Sequence, residues 1–489
     1  MTQDTSPKLA LSDPSLLETR ALVNGAWLTA QSSIAVINPA TGAHIADVAD
    51  MPAAQWEAAI DAAHAAKTDW AARTGKERAA ILRRLYDLMV ENADDLALIL
   101  TAEMGKPLAE ARAEILYGAA YVEWFGEEAK RVYGDVIQGH QRDKRIVVIK
   151  QPVGVVAAIT PWNFPNAMLA RKLAPALAVG CTMVLRPSEL TPLSALAVAV
   201  LAERAGVPAG VLNVVPNRRA SDFGKLVCSH AKVAKITFTG STRVGAILLE
   251  QGASTIKRFS LELGGNAPFL VFDDADLDAA AEGALLAKFR NNGQTCVCAN
   301  RFYVQIGVYD AFVEKLAAKI ATLRVGNGLE QHTTIGPLIE EAAVGKIEAH
   351  IADAKGKGAH VRLGGNRHDL GGTYFEPTLL TNVDQSMQVA HEETFGPLAA
   401  VIPFDTEADA IAMANDSPFG LAGYFFSRDL SRVWRVAEAL ETGIVGVNTG
   451  LISTEVAPFG GVKQSGMGRE GSHYGCDDYL EIKNIVIGI

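Results

Sequence analysis

Short apolar runs alternate with segments of helical periodicity along most of the chain. Runs such as "CTMVL" (181–185) and "VAKITFTG" (233–240) are nearly continuous in apolar residues, and helical segments such as "TPLSALAVAVLAERAG" (191–206) separate them. This pattern is typical of parallel strands that are buried on both faces and joined by crossover helices. The alternation resumes after Arg301, and we infer an α/β fold of two units with a seam near residues 262–275.

The part of the chain before the alternation carries apolar residues at helical spacing with little β-branching. This pattern predicts helices over 53–70, 76–105 and 107–132. Two extended pieces, residues 135–151 and 479–489, fit neither α/β unit. Such pieces can pair with the sheet edge of another subunit.

The length and charge of the chain limit the classes of partner. A chain of 489 residues is too long for one ordinary core, which predicts two or three domains. The net charge of −10 argues against nucleic acid or an anionic membrane surface, because both attract basic faces. No stretch approaches the ~18 uninterrupted apolar residues of a membrane helix, and the opening lacks the pattern of a secretory signal. We therefore expect a cytoplasmic protein with no membrane partner.

Cys296 and Cys298 lie one residue apart in "FRNNGQTCVCAN" (289–300), and the chain has only five cysteines. A zinc site usually takes four ligands and no second cysteine pair exists, so we expect no metal. A disulfide between the two would close a strained ring, which suits regulation better than structure. Free cysteines are often simply buried. The glycine and small polar residues before Cys296 favour a nucleophile, because such a loop can bring backbone N–H groups near the sulfur.

Glu262 and Asn163 are candidates for the groups that would assist such a thiol. Glu262 lies in the strand-like run "FSLELGGNAPFLVF" (259–272), where a carboxylate must be hydrogen-bonded, functional or turned toward solvent. Asn163 lies between two prolines in "TPWNFP" (160–165), and these prolines restrict its backbone. A carboxylate beside a thiol can act as a general base, and a rigid amide can donate to an oxyanion.

One segment has the pattern of an anion site. In "ITFTGSTRVGAILLE" (236–250), a predicted strand is followed by Gly240, Ser241 and Gly245 and then by a predicted helix. A glycine turn at a helix N-terminus binds anions through its N–H groups and the helix dipole. The full dinucleotide fingerprint G-x-G-x-x-G is absent from the expected places.

Six motifs in the chain resemble those of the NAD(P)-dependent aldehyde dehydrogenase superfamily, in the same order and spacing, and the likeness covers roughly residues 20–489. The motifs are "TPWNFP", "FTGSTRVG", "LELGGNAP", "GQTC", "EETFGP" and "PFGGVKQSGMGREG". The versions "FRNNGQTCVCANR" and "NTGLISTEVAPFGGVKQSGMGREGSHYG" are similar to those of the succinate-semialdehyde dehydrogenase branch.

The resemblance implies an aldehyde dehydrogenase-like α/β fold of three parts. These are a Rossmann-like cofactor domain (1–133 and 153–262), a catalytic α/β domain (263–460) and a small oligomerisation arm (134–152 and 461–489). A homodimer or homotetramer is implied as well.

The resemblance also implies a covalent mechanism. Cys296 would add to the aldehyde carbon, while Asn163 and the backbone N–H of Cys296 hold the oxyanion. Loss of hydride from the thiohemiacetal would leave a thioester, and Glu262 would activate the water that hydrolyses it. A thiol hydrolase that needs no cofactor is the alternative from another class, although none of the ten histidines lies in these motifs.

The implied cofactor is NAD or NADP. By resemblance, Glu393 binds the nicotinamide ribose, Phe395 packs near the ring, and Trp162 and Ser241 lie along the cofactor path. Arg186 replaces a common lysine at the adenosine ribose, and Glu189 follows it in "LRPSEL".

The choice between the two cofactors stays open. The carboxylate of Glu189 favours NAD, whereas Arg186 and three further arginines are candidates to attract the 2′-phosphate of NADP or to lie in solvent. These three are Arg218, Arg219 and Arg243.

The implied substrate is a small aldehyde with a terminal carboxylate. Arg171, Arg290 and Ser453 match the residues that grip the carboxylate in the succinate-semialdehyde branch, although surface positions are the commoner fate of arginine. Succinate semialdehyde is the first candidate, and glutarate semialdehyde or a broader aldehyde range is the alternative. The same likeness implies a reversible disulfide between Cys298 and Cys296.

Overall fold

The computed structural model describes residues 9–489, and its regular elements alternate between helix and strand as predicted. The helices are α1 Ala53–Ala72, α2 Gly75–Glu91, α3 Ala93–Met104, α4 Leu108–Glu128, α5 Ala167–Val179, α6 Pro192–Ala205, α7 Ala220–Ser229, α8 Thr242–Gly252, α9 Leu277–Phe289, α10 Tyr309–Ile320, α11 Glu341–Gly356, α12 Gln388–His391, α13 Glu407–Asn415 and α14 Leu430–Ala439. The strands are β1 Ala21–Val23, β2 Ala26–Leu28, β3 Ser33–Ile37, β4 His44–Ala49, β5 Asp135–Ile137, β6 Lys144–Pro152, β7 Val155–Ile159, β8 Thr182–Arg186, β9 Leu212–Val214, β10 Val233–Thr239, β11 Arg258–Glu262, β12 Ala267–Val271, β13 Ala299–Gln305, β14 His360–Leu363, β15 Thr378–Thr381, β16 Leu398–Phe404, β17 Phe419–Gly420, β18 Ala422–Phe426, β19 Ile444–Val447, β20 Val462–Lys463, β21 Gly466–Met467 and β22 Leu480–Gly488.

The first sheet has eight strands in the order β2-β1-β9-β8-β7-β10-β11-β21. The strands from β9 to β11 are mutually parallel, whereas β1, β2 and β21 are antiparallel to their neighbours. The chain runs outward from β7 to β9 on one side and from β10 to β11 on the other. This reversal opens a crevice at the carboxyl ends of β7 and β10, the usual place for a ligand in such sheets.

The second sheet has seven strands in the order β14-β15-β16-β13-β12-β18-β19. All of its strands are parallel except the outer strand β14. The first sheet's last parallel strand ends at Glu262 and the second sheet's first strand begins at Ala267, inside the predicted seam. The predicted α/β class is therefore confirmed, while the division into cofactor and catalytic domains stays a prediction.

The two extended pieces pair with each other. β22 lies antiparallel to β6 from Leu480 to Gly488, and β5 adds a third strand. Earlier in the predicted arm segment 461–489, β20 pairs with β17 and β21 pairs with β11 of the first sheet. The three-stranded sheet takes the last part of this segment, and the bounds of the oligomerisation arm stay a prediction.

The predicted helix over 76–105 is two helices, α2 and α3, which meet at Asn92. The Asn92 side-chain amide donates to the Leu88 carbonyl oxygen at 2.8 Å, in competition with helix continuation. Apolar periodicity continues across this break, which is why the sequence pattern gave one helix. Among residues 9–489, no helix is long and apolar enough to cross a membrane.

Candidate active site

The candidate nucleophile lies where the two large sheets meet. Cys296 is on the loop between α9 and β13, and Glu262 ends β11 of the first sheet. Cys296 lines a cavity of about 190 Å³ together with Arg171, Arg290 and Ser453. The structure thus brings the candidate nucleophile and all three candidate substrate residues to one cavity. The other lining residues are Glu110, Ala113, Glu114, Tyr117, Phe164, Met168, Thr295, Val297 and Phe459.

The loop before Cys296 turns through left-handed backbone. Asn291 and Asn292 have φ values of 51° and 55°, a conformation that asparagine tolerates better than most residues. A Cβ on Gly293 would lie 2.2 Å from the Gly396 carbonyl oxygen, so only glycine fits this close approach. The sequence "NNG" therefore fixes the turn that carries the half-buried Cys296 into the cavity.

The environment of Cys296 holds its proton tightly. Burial and, to a lesser degree, the charge of Glu262 raise the pKa of the thiol to about 12, although Arg171 and Arg290 oppose the rise. At neutral pH the sulfur is therefore a thiol that must lose its proton before it can attack a carbonyl.

Asn163 is held against the loop of the candidate nucleophile. Its side-chain Nδ2 donates to the Gln294 carbonyl oxygen at 3.0 Å, two residues before Cys296. The backbone carbonyl oxygen of Asn163 accepts from Lys106 Nζ at 2.7 Å and from Asn291 Nδ2 at 2.9 Å. An amide nitrogen carries two hydrogens, so one N–H of Asn163 stays available to an oxyanion.

Glu262 is a buried carboxylate with no hydrogen-bond partner on either oxygen among the described residues. Burial and the nearby charge of Glu470 raise its pKa well above the usual value. A Cβ on Gly460 would lie 3.0 Å from Glu262 Oε1, so this glycine leaves the carboxylate its space. Such a group readily takes a proton, as a general base must.

The two candidate substrate arginines differ in what already binds them. Arg171 is buried, its Nε lies 2.8 Å from Glu470 Oε2, and its guanidinium lies 3.9 Å from the Phe459 ring centroid. Its Nη2 is buried and has no hydrogen-bond partner within residues 9–489. Arg290 lies half-buried, 5.5 Å from the Phe164 ring centroid. Within residues 9–489, no carboxylate oxygen lies within 4.0 Å of the Arg290 guanidinium.

The sequence reasoning missed Glu470 and Lys172. Lys172 Nζ donates to Glu470 Oε1 at 2.5 Å, and Glu470 also pairs with Arg171. The two cations hold the pKa of Glu470 below its ordinary value despite its burial. Glu470 lies in a motif that we had recognised, but no local signal connects it to a lysine 298 residues earlier.

The candidate cofactor residues Glu393 and Phe395, on the loop between α12 and β16, contact the seam and Trp162, which follows β7 of the first sheet. The rings of Trp162 and Phe395 meet edge to face with centroids 5.6 Å apart. Glu393 Oε1 accepts from the Gly265 N–H at 3.2 Å, and burial raises the pKa of this carboxyl to about 7. Phe395 has a φ of 57°, which sets the ring's direction in this loop.

Arg186 lies at the carboxyl end of β8, and its guanidinium is hydrogen-bonded to other groups of the chain. Its Nη2 donates to Glu189 Oε2 at 2.5 Å and to the Asn217 carbonyl oxygen at 2.9 Å. Of the further arginines, Arg218 pairs with Asp50 at 3.1 Å. The other two are exposed: Arg219 lies 4.7 Å from the Trp56 ring centroid, and Arg243 is on the first turn of α8.

The glycine turn before α8 has the predicted geometry. The Gly240 N–H donates to the Glu262 carbonyl oxygen at 3.0 Å, and Ser241 caps the helix by accepting from the Val244 N–H. A Cβ on Gly245 would lie 2.7 Å from a Leu263 methyl carbon, so this glycine permits close packing.

These features fit a bound dinucleotide. At the carboxyl ends of β8 and β10, Arg186 Nε and Thr239 Oγ1 are buried, and in the described part of the chain they have no hydrogen-bond partner. A ligand at the crevice, beside the N-terminus of α8, is positioned to satisfy donors of this kind.

Cys298 faces away from solvent. Its Sγ donates to the Lys288 carbonyl oxygen at 3.3 Å, and burial raises the pKa of the thiol. Both Cys296 and Cys298 are free thiols in the structure. The reversible disulfide between them stays a prediction.

Comparison with known proteins places the chain among relatives of nearly the same length. The sequence profile of the aldehyde dehydrogenase family matches residues 27–485. The chain is 62% identical over 482 residues to a glutarate-semialdehyde dehydrogenase of Pseudomonas aeruginosa, with 98% of this chain and 100% of that protein covered. It is 60% identical over 483 residues to the succinate-semialdehyde dehydrogenase (NADP(+)) of Escherichia coli, with the same coverage. A crystal structure of succinate-semialdehyde dehydrogenase from Burkholderia pseudomallei superimposes with a TM-score of 0.97 at 59% identity, with 98% and 100% covered.

Fold and site together define an α/β protein with a ligand crevice on one sheet and a thiol cavity lined by α4, α5 and the loop that carries Cys296. The match of the family profile and of full-length relatives identifies it further. The chain belongs to the aldehyde dehydrogenase family. The family resemblance of the sequence motifs is therefore confirmed.

Proposed function

We propose that the chain oxidises a short aldehyde that carries a carboxylate, with NAD(P)⁺ as the oxidant. Succinate semialdehyde, which would become succinate, is the first candidate substrate. The observation that carries the proposal is the cavity in which the Cys296 thiol shares its walls with Arg171, Arg290 and Ser453. A nucleophile at one end and guanidinium groups around it suit a molecule with an aldehyde and an anion.

The first chemical step belongs to Cys296 and Asn163. The Cys296 sulfur forms a bond to the aldehyde carbon, and its proton passes to the Glu262 carboxylate, which releases it to solvent before the hydrolysis step. The oxyanion that results accepts from the free N–H of the Asn163 amide and from the Cys296 backbone N–H. Because Asn163 is held by Gln294, Lys106 and Asn291, its amide is preorganised for this charge.

The second step releases the acid. When bound, NAD(P)⁺ supplies the hydride acceptor that lets the thiohemiacetal become a thioester. Glu262 then takes a proton from water, the hydroxide attacks the thioester carbon, and the Cys296 thiolate departs with the proton returned to it. The unpartnered oxygens of Glu262 and its raised pKa support this role.

Substrate choice is assigned to the two arginines and Ser453. Arg290 has no carboxylate within 4.0 Å among the described residues, and Arg171 has a free Nη2, so both can donate to the far carboxylate of the substrate. One methylene changes discrimination by only ~1–3 kcal/mol. Glutarate semialdehyde therefore remains the second candidate, in line with the name of the Pseudomonas aeruginosa relative.

The cofactor is assigned to the crevice of the first sheet. Glu393 and the aromatic pair Trp162 and Phe395 would hold the nicotinamide end, and Gly240, Ser241 and Gly245 the pyrophosphate. Arg186 and Glu189 would hold the adenosine ribose. The Escherichia coli relative is named for NADP(+), while the Arg186–Glu189 pair offers a carboxylate as well as a cation.

The test of the reaction class is absorbance at 340 nm with succinate semialdehyde and either cofactor. We expect NAD(P)H formation in the wild type and a loss of at least ~10³-fold in kcat for Cys296→Ser, because the serine hydroxyl is a poorer nucleophile and leaving group. Ester cleavage without NAD(P)H formation from any aldehyde would instead identify a thiol hydrolase.

We further propose, on the family resemblance, that Cys298 forms a reversible disulfide with Cys296 under oxidation. Peroxide should then inactivate the enzyme, and dithiothreitol should restore it. Cys298→Ala should recover less activity, because the Cys296 sulfenic acid then has no partner thiol and peroxide oxidises it further to the sulfinic acid, which dithiothreitol does not reduce. Identical recovery in the wild type and in Cys298→Ala would remove this proposal.

We also propose a homodimer or homotetramer that uses the sheet of β5, β6 and β22. Its surface exposes large apolar side chains, including Val136 at 86% and Ile482 at 72%, and the outer edge of β22 is unpaired within the described chain. In sedimentation equilibrium, Ile482→Lys should lower the mass, whereas Leu430→Lys, which changes an exposed apolar residue elsewhere, should not. A monomeric wild type would contradict the proposal.

A cytoplasmic location is proposed on the state of the cysteines. All five are free thiols, which suits a reducing compartment. Fractionation of the cells that make the protein tests this, with recovery outside the cytoplasm as the opposing result.

A further inference from the structure

Lys106 is a fully buried lysine beside the candidate oxyanion site, and the proposed mechanism gives it no chemical step. It lies in the turn between α3 and α4, and its side chain has no solvent exposure. Its Nζ donates to Glu114 Oε2 at 2.5 Å and to the Asn163 carbonyl oxygen at 2.7 Å. The same ammonium lies 3.8 Å from the centroid of the Phe164 ring.

Glu114 connects this lysine to the helix that follows Asn163. Its Oε1 accepts from the backbone N–H groups of Asn166 and Ala167 at 3.0 and 3.2 Å, at the N-terminus of α5. The first N–H groups of a helix have no partner within the helix, so a carboxylate there stabilises the helix start. One carboxyl group thus fixes both the start of α5 and the position of the Lys106 ammonium.

The ion pair of Lys106 and Glu114 binds the segment 163–167 at both of its ends. Glu114 binds the end of this segment at the start of α5. The Lys106 ammonium binds the backbone carbonyl oxygen of Asn163, which also accepts from Asn291 in the Cys296 loop. The amide of the same residue donates to Gln294. An ion pair with no solvent contact is costly to bury, and some buried pairs serve to hold one geometry. Here the geometry that the pair contacts is that of the Asn163 side-chain amide relative to Cys296.

We infer that the buried ion pair of Lys106 and Glu114 is a positioning device that sets the Asn163 amide for the oxyanion formed at Cys296. Neither residue touches the reacting atoms through this device; both act through Asn163. The inference rests on the proposed function for its kinetic consequences, while its structural part concerns only how the 163–167 segment is held.

The substrate side of the cavity is linked to the same lysine. The Phe164 ring lies between the Lys106 ammonium, 3.8 Å from its centroid, and the Arg290 guanidinium, 5.5 Å from its centroid. Loss of Lys106 therefore also removes one support of the ring against which Arg290 packs. For this reason the test follows an uncharged aldehyde, whose binding does not depend on Arg290.

The kinetic test is a double-mutant cycle on kcat/KM for butanal. We expect Asn163→Ala to reduce it by about 10²–10³-fold, as for the loss of an oxyanion donor. Lys106→Met should reduce it by about 10–10²-fold, because a small misplacement of a catalytic group has such effects. The double variant should be within about 3-fold of Asn163→Ala alone. Multiplied losses in the double variant would overturn the inference.

A matched control distinguishes a loss of Asn163 positioning from the general effect of removing a buried ammonium group. Lys235 is also fully buried, donates to Ser260 Oγ and contacts no residue of the 163–167 segment among its hydrogen bonds. The effects of Lys235→Met and Asn163→Ala should therefore multiply. If Lys106→Met does not fold, Glu114→Gln replaces it in the cycle, because the amide oxygen keeps the cap of α5 while the charge that holds Lys106 is lost.

Amide hydrogen exchange tests the structural part without any activity. The peptide covering residues 160–168 should exchange faster in Lys106→Met or Glu114→Gln than in the wild type and in Lys235→Met. Equal exchange in all variants would overturn the inference. A wild type that forms no NAD(P)H would remove the proposed function, but the exchange comparison would still decide whether Lys106 and Glu114 hold this segment.

Discussion

The arginines of the substrate cavity and those of the cofactor crevice differ in how far they are already neutralised. In the crevice, Arg186 pairs with Glu189 and Arg218 pairs with Asp50. In the cavity, Arg290 has no carboxylate within 4.0 Å among residues 9–489. Arg171 is intermediate, because Glu470 holds its Nε while its Nη2 stays free.

This difference indicates that the substrate cavity, rather than the cofactor crevice, has a guanidinium available to an anionic ligand. A guanidinium that is desolvated without a carboxylate gains most from an anionic ligand, whereas a paired one gains little. The cavity is therefore suited to a carboxylate that arrives with the substrate. The crevice offers no buried arginine without a carboxylate for an additional phosphate, since its two exposed cations, Arg219 and Arg243, lie in solvent.

The largest expected effect is the loss of carboxylate binding in the substrate cavity. Arg290→Ala should lower kcat/KM for succinate semialdehyde by about 10²-fold, because a charge-assisted hydrogen bond to the substrate is lost. For butanal, which has no carboxylate, the change should stay below about 3-fold. Initial rates at 340 nm measure both.

The matched control for Arg290 is Arg218→Ala, which removes a guanidinium that Asp50 already pairs. Its kcat/KM for succinate semialdehyde should remain within about 2-fold of the wild type, since paired surface cations contribute little. Equal losses in the two variants would mean that general electrostatic attraction, rather than a contact in the cavity, selects the substrate.

A second prediction concerns the intermediate case, Arg171 with Glu470. Glu470 raises the pKa of Glu262, and Arg171 and Lys172 lower it. Glu470→Gln removes the repulsion and leaves the two cations less neutralised, so the pKa of Glu262 should fall. Because the ionised carboxylate is the active base, the rise of kcat with pH should move to lower pH.

The pH profile of kcat measures that shift, with Lys172→Met as the opposite change. Removal of this cation should move the rise to higher pH, since Lys172 lowers the pKa of Glu262. Profiles that coincide in all three proteins would show that Glu262 does not control the rate.

The smallest expected effect is a change in cofactor preference, which concerns the crevice. Glu189→Gln frees Arg186 from its carboxylate, so the ratio of kcat/KM for NADP to that for NAD should rise by about 5-fold. Arg186→Lys should lower the same ratio by less, because lysine offers one point charge in place of a fork. A ratio that does not change in either variant would place the 2′-phosphate elsewhere.

The sequence predicted those features that local patterns determine. Parallel strands follow from continuous apolar runs, and the loop before Cys296 follows from its glycine and small polar residues. The cavity's three candidate substrate residues were also predicted, but from family resemblance and not from spacing. The structure places all three at the wall that Cys296 shares.

The features that the sequence did not predict depend on distant partners. The Lys172–Glu470 pair joins residues 298 positions apart, and Lys106 reaches Asn163 across 57 positions. The helix break at Asn92 was missed for another reason, since one side-chain hydrogen bond outweighs a continuing apolar pattern. Residues 461–479 return to other strands for pairing that no local pattern shows.

The most direct test is the ratio of kcat/KM for succinate semialdehyde to that for butanal in the wild-type enzyme with a saturating cofactor. The two aldehydes have the same number of carbons and differ in the terminal carboxylate. Two guanidinium groups that are free to donate should give a ratio of about 10² or more. A ratio near one would contradict the assignment of Arg171 and Arg290 as the carboxylate site.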